Sequence, residues 1–166
     1  AAARSADKSA AEPLVAALGR QAALGENWPV IALSEYVTCS FEALESARSQ
    51  LAAIAPEVRA FLYQLADSDD VESRRSALVV VGALGDDDAS RWLLDVAERE
   101  ELSGGADHLL GALASLSPSI IEERLIAGSV SQRTILLRTL SRNPNLLRRS
   151  LIMDAIAVAL SSDDED

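Results

Sequence analysis

Apolar residues recur along this chain with the period of an α-helix, and this spacing limits the fold more than any other feature of the sequence. One such stripe, at positions i, i+3, i+4 and i+7, consists of Val58, Phe61, Leu62 and Leu65. Further stripes begin at Phe41 and at Ala77. No segment shows the sustained apolar–polar alternation, bounded by hairpin turn residues, that indicates β-strands. We therefore predict an all-α fold.

Residues suited to helix starts and helix ends lie between the stripes. Starts are indicated by Ser9 with Glu12 and by Asp69 with Glu72, both at capping-box spacing, and by Ser117 before Pro118. Glycines suited to helix ends are Gly25, Gly85 and Gly128. Together these signals predict helices over residues 9–24, 28–38, 41–54, 56–66, 71–84, 88–100, 106–116, 118–127, 130–142 and 145–160.

The predicted helices come in pairs that recur along the chain. Long helices start near residues 41, 71, 106 and 130, at spacings of roughly 30, 35 and 24 residues. Each pair has an apolar face that it cannot bury alone, so stacking of successive pairs would form the core. This organisation is typical of an α-solenoid.

Residues 67–98 carry a more specific pattern. It consists of an Asp-rich turn, Arg at the helix start, small residues, a Leu-Gly-Asp end and a second helix with paired Leu. The residues that fit are Arg74, Arg75, Ala77, Gly82, Leu84, Gly85, Asp86, Leu93 and Leu94. The segment resembles the HEAT-like repeat, in particular the short variety also found in phycobiliprotein lyases. It departs from that pattern at Val71, where Pro is frequent, and at Ser73, where Val is usual.

The resemblance implies a superhelical scaffold that holds other macromolecules, and it implies no single activity. For this chain it implies an all-α, right-handed α-solenoid of about four to five HEAT/armadillo-like helix pairs. We assign residues 1–160 to one such domain and residues 161–166 to a short acidic tail.

Composition argues against several classes of protein. The net charge of −11 is opposite to that of a generic duplex-DNA binder, so we do not expect a nucleic-acid partner. No apolar run reaches the 18 residues or so that a membrane-spanning helix needs. A single cysteine, Cys39, excludes an internal disulfide. Because the N-terminus also shows no leader pattern, we predict a cytoplasmic protein.

Residues that carry catalytic or metal chemistry are sparse. His108 is the only histidine, so a catalytic triad or a His/Cys zinc site lacks its members. Cys39 lies at a helix junction, where we expect a small buried side chain. Asp86, Asp87 and Asp88 lie at a predicted helix start, where acids stabilise the helix dipole, and they lack EF-hand spacing. We predict that the chain is not an enzyme and uses no metal or cofactor.

Two groups of residues are candidates for partner binding. The first group comes from a stretch with six Arg and no acid, residues 124–149, and comprises Arg133, Arg138, Arg142, Arg148 and Arg149. These residues either bind an anionic partner or neutralise acids elsewhere in the chain. The second group, predicted to face away from the core, comprises Arg91, Trp92 and Asp95. Trp92 would either bind a partner or pack between repeats.

These observations favour a non-catalytic protein-interaction scaffold or adaptor, which binds a protein partner on its concave or Arg-rich surface. Such binding would weaken as salt screens the charges. Two alternatives stay open. One is an enzyme-associated HEAT-like module, either phycobilin-lyase-like or DNA-glycosylase-like, and the other is an accessory subunit of a large assembly. The sequence leaves the oligomeric state open.

Overall fold

The structure is a computed structural model that describes residues 10–102, 109–113 and 115–142. Every regular element within these ranges is a helix, which confirms the predicted all-α class for this part of the chain. The helices are α1 (Ala11–Ala22), α2 (Trp28–Cys39), α3 (Phe41–Leu51), α4 (Pro56–Ala66), α5 (Val71–Leu84), α6 (Asp87–Leu102), α7 (Leu110–Leu113), α8 (Pro118–Ala127) and α9 (Val130–Arg142). The chain divides into two compact units, Ala1–Leu84 and Gly85–Asp166.

The predicted boundaries are accurate for four of the described helices, whereas α1, predicted over residues 9–24, runs from Ala11 to Ala22. Helices α4, α5, α8 and α9 begin and end at the predicted residues. Helix α3 is shorter than predicted and ends at Leu51. Further along the connection to α4, Ala55 is extended, as expected for the residue before Pro56. The predicted helix 106–116 is described only in part, as α7, and the predicted helix 145–160 lies outside the described residues.

Unit 1 contains two helical hairpins, α1–α2 and α4–α5, with α3 between them in sequence. Helices α2 and α5 pack against each other. They start side by side, where Asn27 Nδ2 donates to Ser73 Oγ at 2.5 Å. They run in the same direction, since Thr38 near the end of α2 lies with Val79 in the second half of α5.

Each helix of unit 1 contributes one fully buried leucine to the core. These residues are Leu18, Leu33, Leu51, Leu62 and Leu78. Burying such a side chain contributes about 2 kcal/mol relative to exposing it. Helix α3 is also tied to α5 by a polar contact, because Arg48 Nε donates to the carbonyl oxygen of Ala83 at 3.4 Å. A cation in this position is stabilised by the negative, C-terminal end of the α5 dipole.

Unit 2 is organised around α6. The start of α6 lies beside the start of α8, where Ser117 Oγ donates to Asp87 Oδ1 at 2.7 Å, so these two helices run in the same direction. Towards the end of α6, Glu98 accepts hydrogen bonds from Ser129 and Gln132 at the start of α9, so α6 and α9 are antiparallel. The paired leucines predicted to face the core, Leu93 and Leu94, are both buried.

Within the described part of the chain, four helices begin with a side chain that accepts a hydrogen bond from a backbone N–H three residues ahead. The capping residues are Ser40, Asp70, Asp86 and Ser129. The predicted cap Asp69 is therefore wrong by one position, because α5 starts at Val71 and Asp70 caps it. The predicted cap Ser117 precedes α8, but its hydroxyl bonds to Asp87 instead of capping the helix.

Glycines end helices in two different conformations. Gly25 and Gly85 have φ angles of +71° and +68°, in the left-handed region, as expected for residues that end helices. Gly128 follows α8, but its φ angle of −75° shows extended backbone.

Three helices start at a regular spacing along the sequence. Helices α4, α6 and α8 begin at Pro56, Asp87 and Pro118, each 31 residues after the previous one. This is closer to a fixed repeat than the spacing that the apolar stripes predicted. Each unit contains one parallel pair of helices, α2 with α5 in unit 1 and α6 with α8 in unit 2. The right-handed solenoid and the single domain over residues 1–160 stay predictions.

Candidate functional site

A concave surface in unit 1 lies between α2 and α5. We call it the α2–α5 groove. It has a volume of about 520 Å³ at the helix starts and continues toward the helix ends. Its lining residues are Ile31, Ser34, Glu35 and Thr38 of α2, with Asp70, Val71, Glu72, Arg75, Ser76 and Val79 from the start of α5 onward. The lining combines aliphatic side chains with three carboxylates, hydroxyl groups and a single arginine.

Exposed apolar side chains lie at or before the starts of α2 and α5, and one of them, Val71, lines the groove. Val71, the first residue of α5, is 78% exposed, and Trp28, the first residue of α2, is 48% exposed. Leu24, in the turn before α2, is 69% exposed. Large apolar side chains exposed together, beside a concave surface, are typical of a surface that becomes covered by a partner.

The groove carries excess negative charge. Glu35 and Glu72 are exposed on opposite walls, and Arg75 is the only basic residue of the lining. The turn before α5 adds two further acids, Asp67 and Asp69, and no base. A ligand with several positive charges therefore suits this surface better than an anion.

A chain of hydrogen bonds fixes the start of the groove. Asn27 of the α1–α2 turn donates to the hydroxyl of Ser73, a buried residue of α5. The pKa of Asp70 is lowered below its ordinary value by two hydrogen bonds from Ser73. The bond from the hydroxyl has the larger effect and the bond from the backbone N–H the smaller. Ser73 departs from the HEAT-like pattern, which usually has Val there, and the structure gives this departure a role in joining α2 to the cap of α5.

The second predicted group, Arg91, Trp92 and Asp95, lies on α6 in unit 2. Arg91 Nη2 bonds to Glu123 Oε2 of α8 at 3.1 Å, and its Nη1 lies 3.8 Å from Asp88 Oδ1. Trp92 is half-buried and Asp95 is exposed. Arg91 therefore joins two helices, which leaves less of its charge for a partner.

The predicted arginine stretch is described over α9. Arg133 and Arg138 are half-buried and Arg142 is exposed, whereas Arg148 and Arg149 lie outside the described residues. Val130, the first residue of α9, is 71% exposed, and Ile126, near the end of α8, is 50% exposed. We call this surface, made of Ile126, Val130, Arg133, Arg138 and Arg142, the α9 face. It combines positive charge with exposed aliphatic side chains.

Hydroxyl and carboxylate groups cluster where α6 and α8 begin. Ser117 and Ser119 both donate to Asp87 Oδ1, at 2.7 and 2.8 Å. These bonds lower the pKa of Asp87, and the bond from Ser117 has the larger effect. The hydroxyl of Ser90 also accepts from the backbone N–H of Ser117. Each bond joins one helix start to the other, so the cluster explains how the helices are held together.

The remaining predictions from the sequence concern the single cysteine, the single histidine, metal ligands and membrane-spanning helices. Cys39 is exposed, and its Sγ donates to the carbonyl oxygen of Glu35, so the prediction of a buried side chain is wrong. The reason is that Cys39 ends α2 on its exposed side. His108 lies outside the described residues. Among the residues that the structure describes, no three His, Cys, Asp or Glu side chains converge as metal ligands, and no helix is long and apolar enough to cross a membrane.

No protein-family model matches the chain, and searches of curated proteins and of solved structures found no match. The resemblance to HEAT-like repeats thus stays a prediction.

The α2–α5 groove was not among the sites predicted from the sequence. One local signal was present, since α2 begins with Trp28 and carries Ile31 and Glu35 three and seven residues later, on the same side of the helix. The other wall of the groove comes from α5, about 40 residues later in the chain. Nothing in the local pattern indicates that these two helices pack together.

Proposed function

We propose that the protein is a non-catalytic interaction scaffold that binds a protein partner in the α2–α5 groove. The observation that carries the proposal is the groove itself, with exposed apolar side chains at its start and an excess of carboxylates on its walls. Apolar contacts supply most of the free energy of such an interface, while the charges select the partner and its orientation.

The contacts of the polar residues support a scaffold over an enzyme. Asp87, Ser117 and Ser119 bond to one another between α6 and α8, and Glu98 bonds to residues of α9. Asp70 caps α5. These groups hold helices in place, which is what a rigid binding surface needs.

The test is a capture experiment with the intact protein as bait and a lysate of its source organism. The groove variant Glu35→Lys/Glu72→Lys reverses the charge on both walls. The control variant Glu12→Lys/Glu57→Lys changes the net charge equally at exposed positions outside the lining, and Glu57, like Glu72, is the second residue of its helix. Any partner captured would then be purified and its affinity for all three proteins measured by calorimetry.

We expect one protein to bind the wild type and the control, and to bind the groove variant at least about tenfold more weakly, which corresponds to about 1.4 kcal/mol. Binding should also weaken at high salt. If the partner binds all three proteins equally, the groove is not the site. If none of the baits retains a protein, the scaffold proposal fails.

A further inference from the structure

Two surfaces of this chain complement each other in charge. The α9 face lies in a segment, residues 124–142, that contains four arginines and no acid. The α2–α5 groove has walls that hold three carboxylates and one arginine, and helix α2 itself carries no basic residue. Opposite charges concentrated on separate surfaces of one chain favour contact between copies of that chain.

The two surfaces also match in their apolar content. The α9 face exposes Val130 and Ile126, four residues apart across the α8–α9 turn. Val71, which lines the groove, is exposed, and so is Trp28 at the start of α2. On each surface the apolar residues lie at one end of a helix and the charged residues follow along it, as Glu35 follows Trp28 and Arg138 follows Val130.

We propose that the α2–α5 groove of one molecule binds the α9 face of a second copy. This inference rests on the proposed function of the groove as a protein-binding site, and it names the partner. Val130 and Ile126 of one copy would cover Val71 and Trp28 of the other. Arg138 and Arg142 would lie against Glu35 and Glu72.

The proposed contact joins two different surfaces, so each copy keeps one groove and one α9 face unused after the first contact. Such a heterologous contact continues to a closed ring or an open chain instead of stopping at a two-fold dimer. This property makes the proposal testable, because each surface can be disabled separately and the two single defects complement each other.

The experiment is sedimentation velocity on the full chain, from about 1 µM to about 1 mM, a range that spans weak specific association. It uses the wild type, the groove variant Glu35→Lys/Glu72→Lys, the face variant Arg138→Glu/Arg142→Glu and the control Glu12→Lys/Glu57→Lys. Helix content and thermal unfolding of each protein check that the variants fold. A fifth protein combines the groove and face changes, which exchanges the charges of the two surfaces.

We expect the wild type and the control to form species larger than a dimer, and the groove and face variants to stay monomeric alone. An equal mixture of those two variants should associate again, because the intact groove of one variant meets the intact α9 face of the other. The two charge-reversed surfaces also complement each other, so the mixture should grow beyond a dimer with the two variants alternating. The charge-exchanged protein should associate again. Association of the wild type should weaken at least about tenfold between about 0.1 M and 1 M salt, as the Debye length falls from about 10 Å to 3 Å.

Three results would overturn the proposal: a wild type that is monomeric at about 1 mM in low salt, variants that associate alone as the wild type does, or a mixture of the two variants that stays monomeric. None of these results contradicts the scaffold proposal, which is tested by whether the groove variant loses a captured partner. Conversely, self-association can be found while no other protein is captured, so the two failures are distinguishable.

Discussion

At the residue scale, two glycines of unit 1 test how backbone conformation affects stability. Gly19 lies inside α1 with open space around it, whereas Gly25 follows α1 with a φ angle of +71°. We expect Gly19→Ala to stabilise the protein by about 0.5–1 kcal/mol, because alanine loses less backbone entropy in a helix. Gly25→Ala should destabilise it by about 1 kcal/mol, because a Cβ disfavours positive φ.

Urea unfolding of both glycine variants beside the wild type measures these differences. The two substitutions make the same chemical change six residues apart, so each is the control for the other. Changes of the same sign in both variants would contradict the assignment of Gly25 to the left-handed region.

A second prediction at the residue scale concerns Ser73. Replacing it with alanine removes the hydroxyl that bonds Asn27 and Asp70, and the loss of the Asn27 hydrogen bond should cost about 1 kcal/mol. The pKa of Asp70 should rise toward its ordinary value, since the largest cause of its lowering is gone. Carboxyl chemical shifts of Asp70, followed by NMR as a function of pH, measure that rise.

The pH dependence of stability follows from the same bond. Because folding lowers the pKa of Asp70, the ionised carboxylate stabilises the folded state at pH values above its ordinary pKa of 3.8. That contribution disappears as the pH falls through the lowered folded value. The deficit of Ser73→Ala relative to the wild type should therefore be larger at pH 7 than below pH 3.8. The control Ser76→Ala, also on α5, should show no such dependence.

At the scale of helices, Glu98 joins α6 to α9. It accepts from Ser129 Oγ at 2.5 Å and from the side-chain amide of Gln132, a buried residue, at 2.9 Å. Glu98→Ala leaves that buried amide without its partner, so we expect a loss of about 1–3 kcal/mol. Asp95→Ala, at an exposed position on the same helix, should change stability by less than about 0.5 kcal/mol.

A double-mutant cycle distinguishes this contact from a general effect of changing α6. If Glu98 acts through Gln132, the double variant Glu98→Ala/Gln132→Ala should lose less stability than the sum of the losses of the two single variants. Additive losses in urea unfolding would show that the contact between the helices does not carry the effect.

Helix positions could be predicted from the sequence because their causes are local. Pro56, Pro118 and Ser40 mark helix starts within the segments that they begin, and Gly25 and Gly85 mark ends in the same way. The cap of α5 was misplaced because Asp69 and Asp70 are adjacent and offer the same chemistry. The predicted helix start at Val71 decides between them, because the cap directly precedes the first helical residue.

The candidate site could be predicted much less well, because it depends on which helices become neighbours. The walls of the α2–α5 groove come from helices separated by α3 and α4, and the bond between Asn27 and Ser73 spans 46 positions. The arginines of α9 were found from the sequence because charge runs are local. That Arg91 bonds to Glu123 of α8 could not be read from α6 alone.

For the whole molecule, the net charge of −11 conceals a separation of charge along the chain. Most of the acidic excess lies in the first hundred residues, and the acid-free stretch 124–149 lies in unit 2.

Repeating the capture experiment with Arg133→Glu/Arg138→Glu/Arg142→Glu should leave the partner of the groove bound. Loss of that partner would place its contact on α9 instead. Wild-type and variant baits at low and high salt provide the comparison.

The exposed thiol of Cys39 makes the groove accessible to spectroscopy without any mutation. It is the only cysteine of the chain, and it is adjacent to Thr38, which lines the far part of the α2–α5 groove. A maleimide fluorophore would therefore attach at one position, at the edge of the surface where we propose that a partner binds. Its emission would report occupation of the groove in real time and in a protein of otherwise natural sequence.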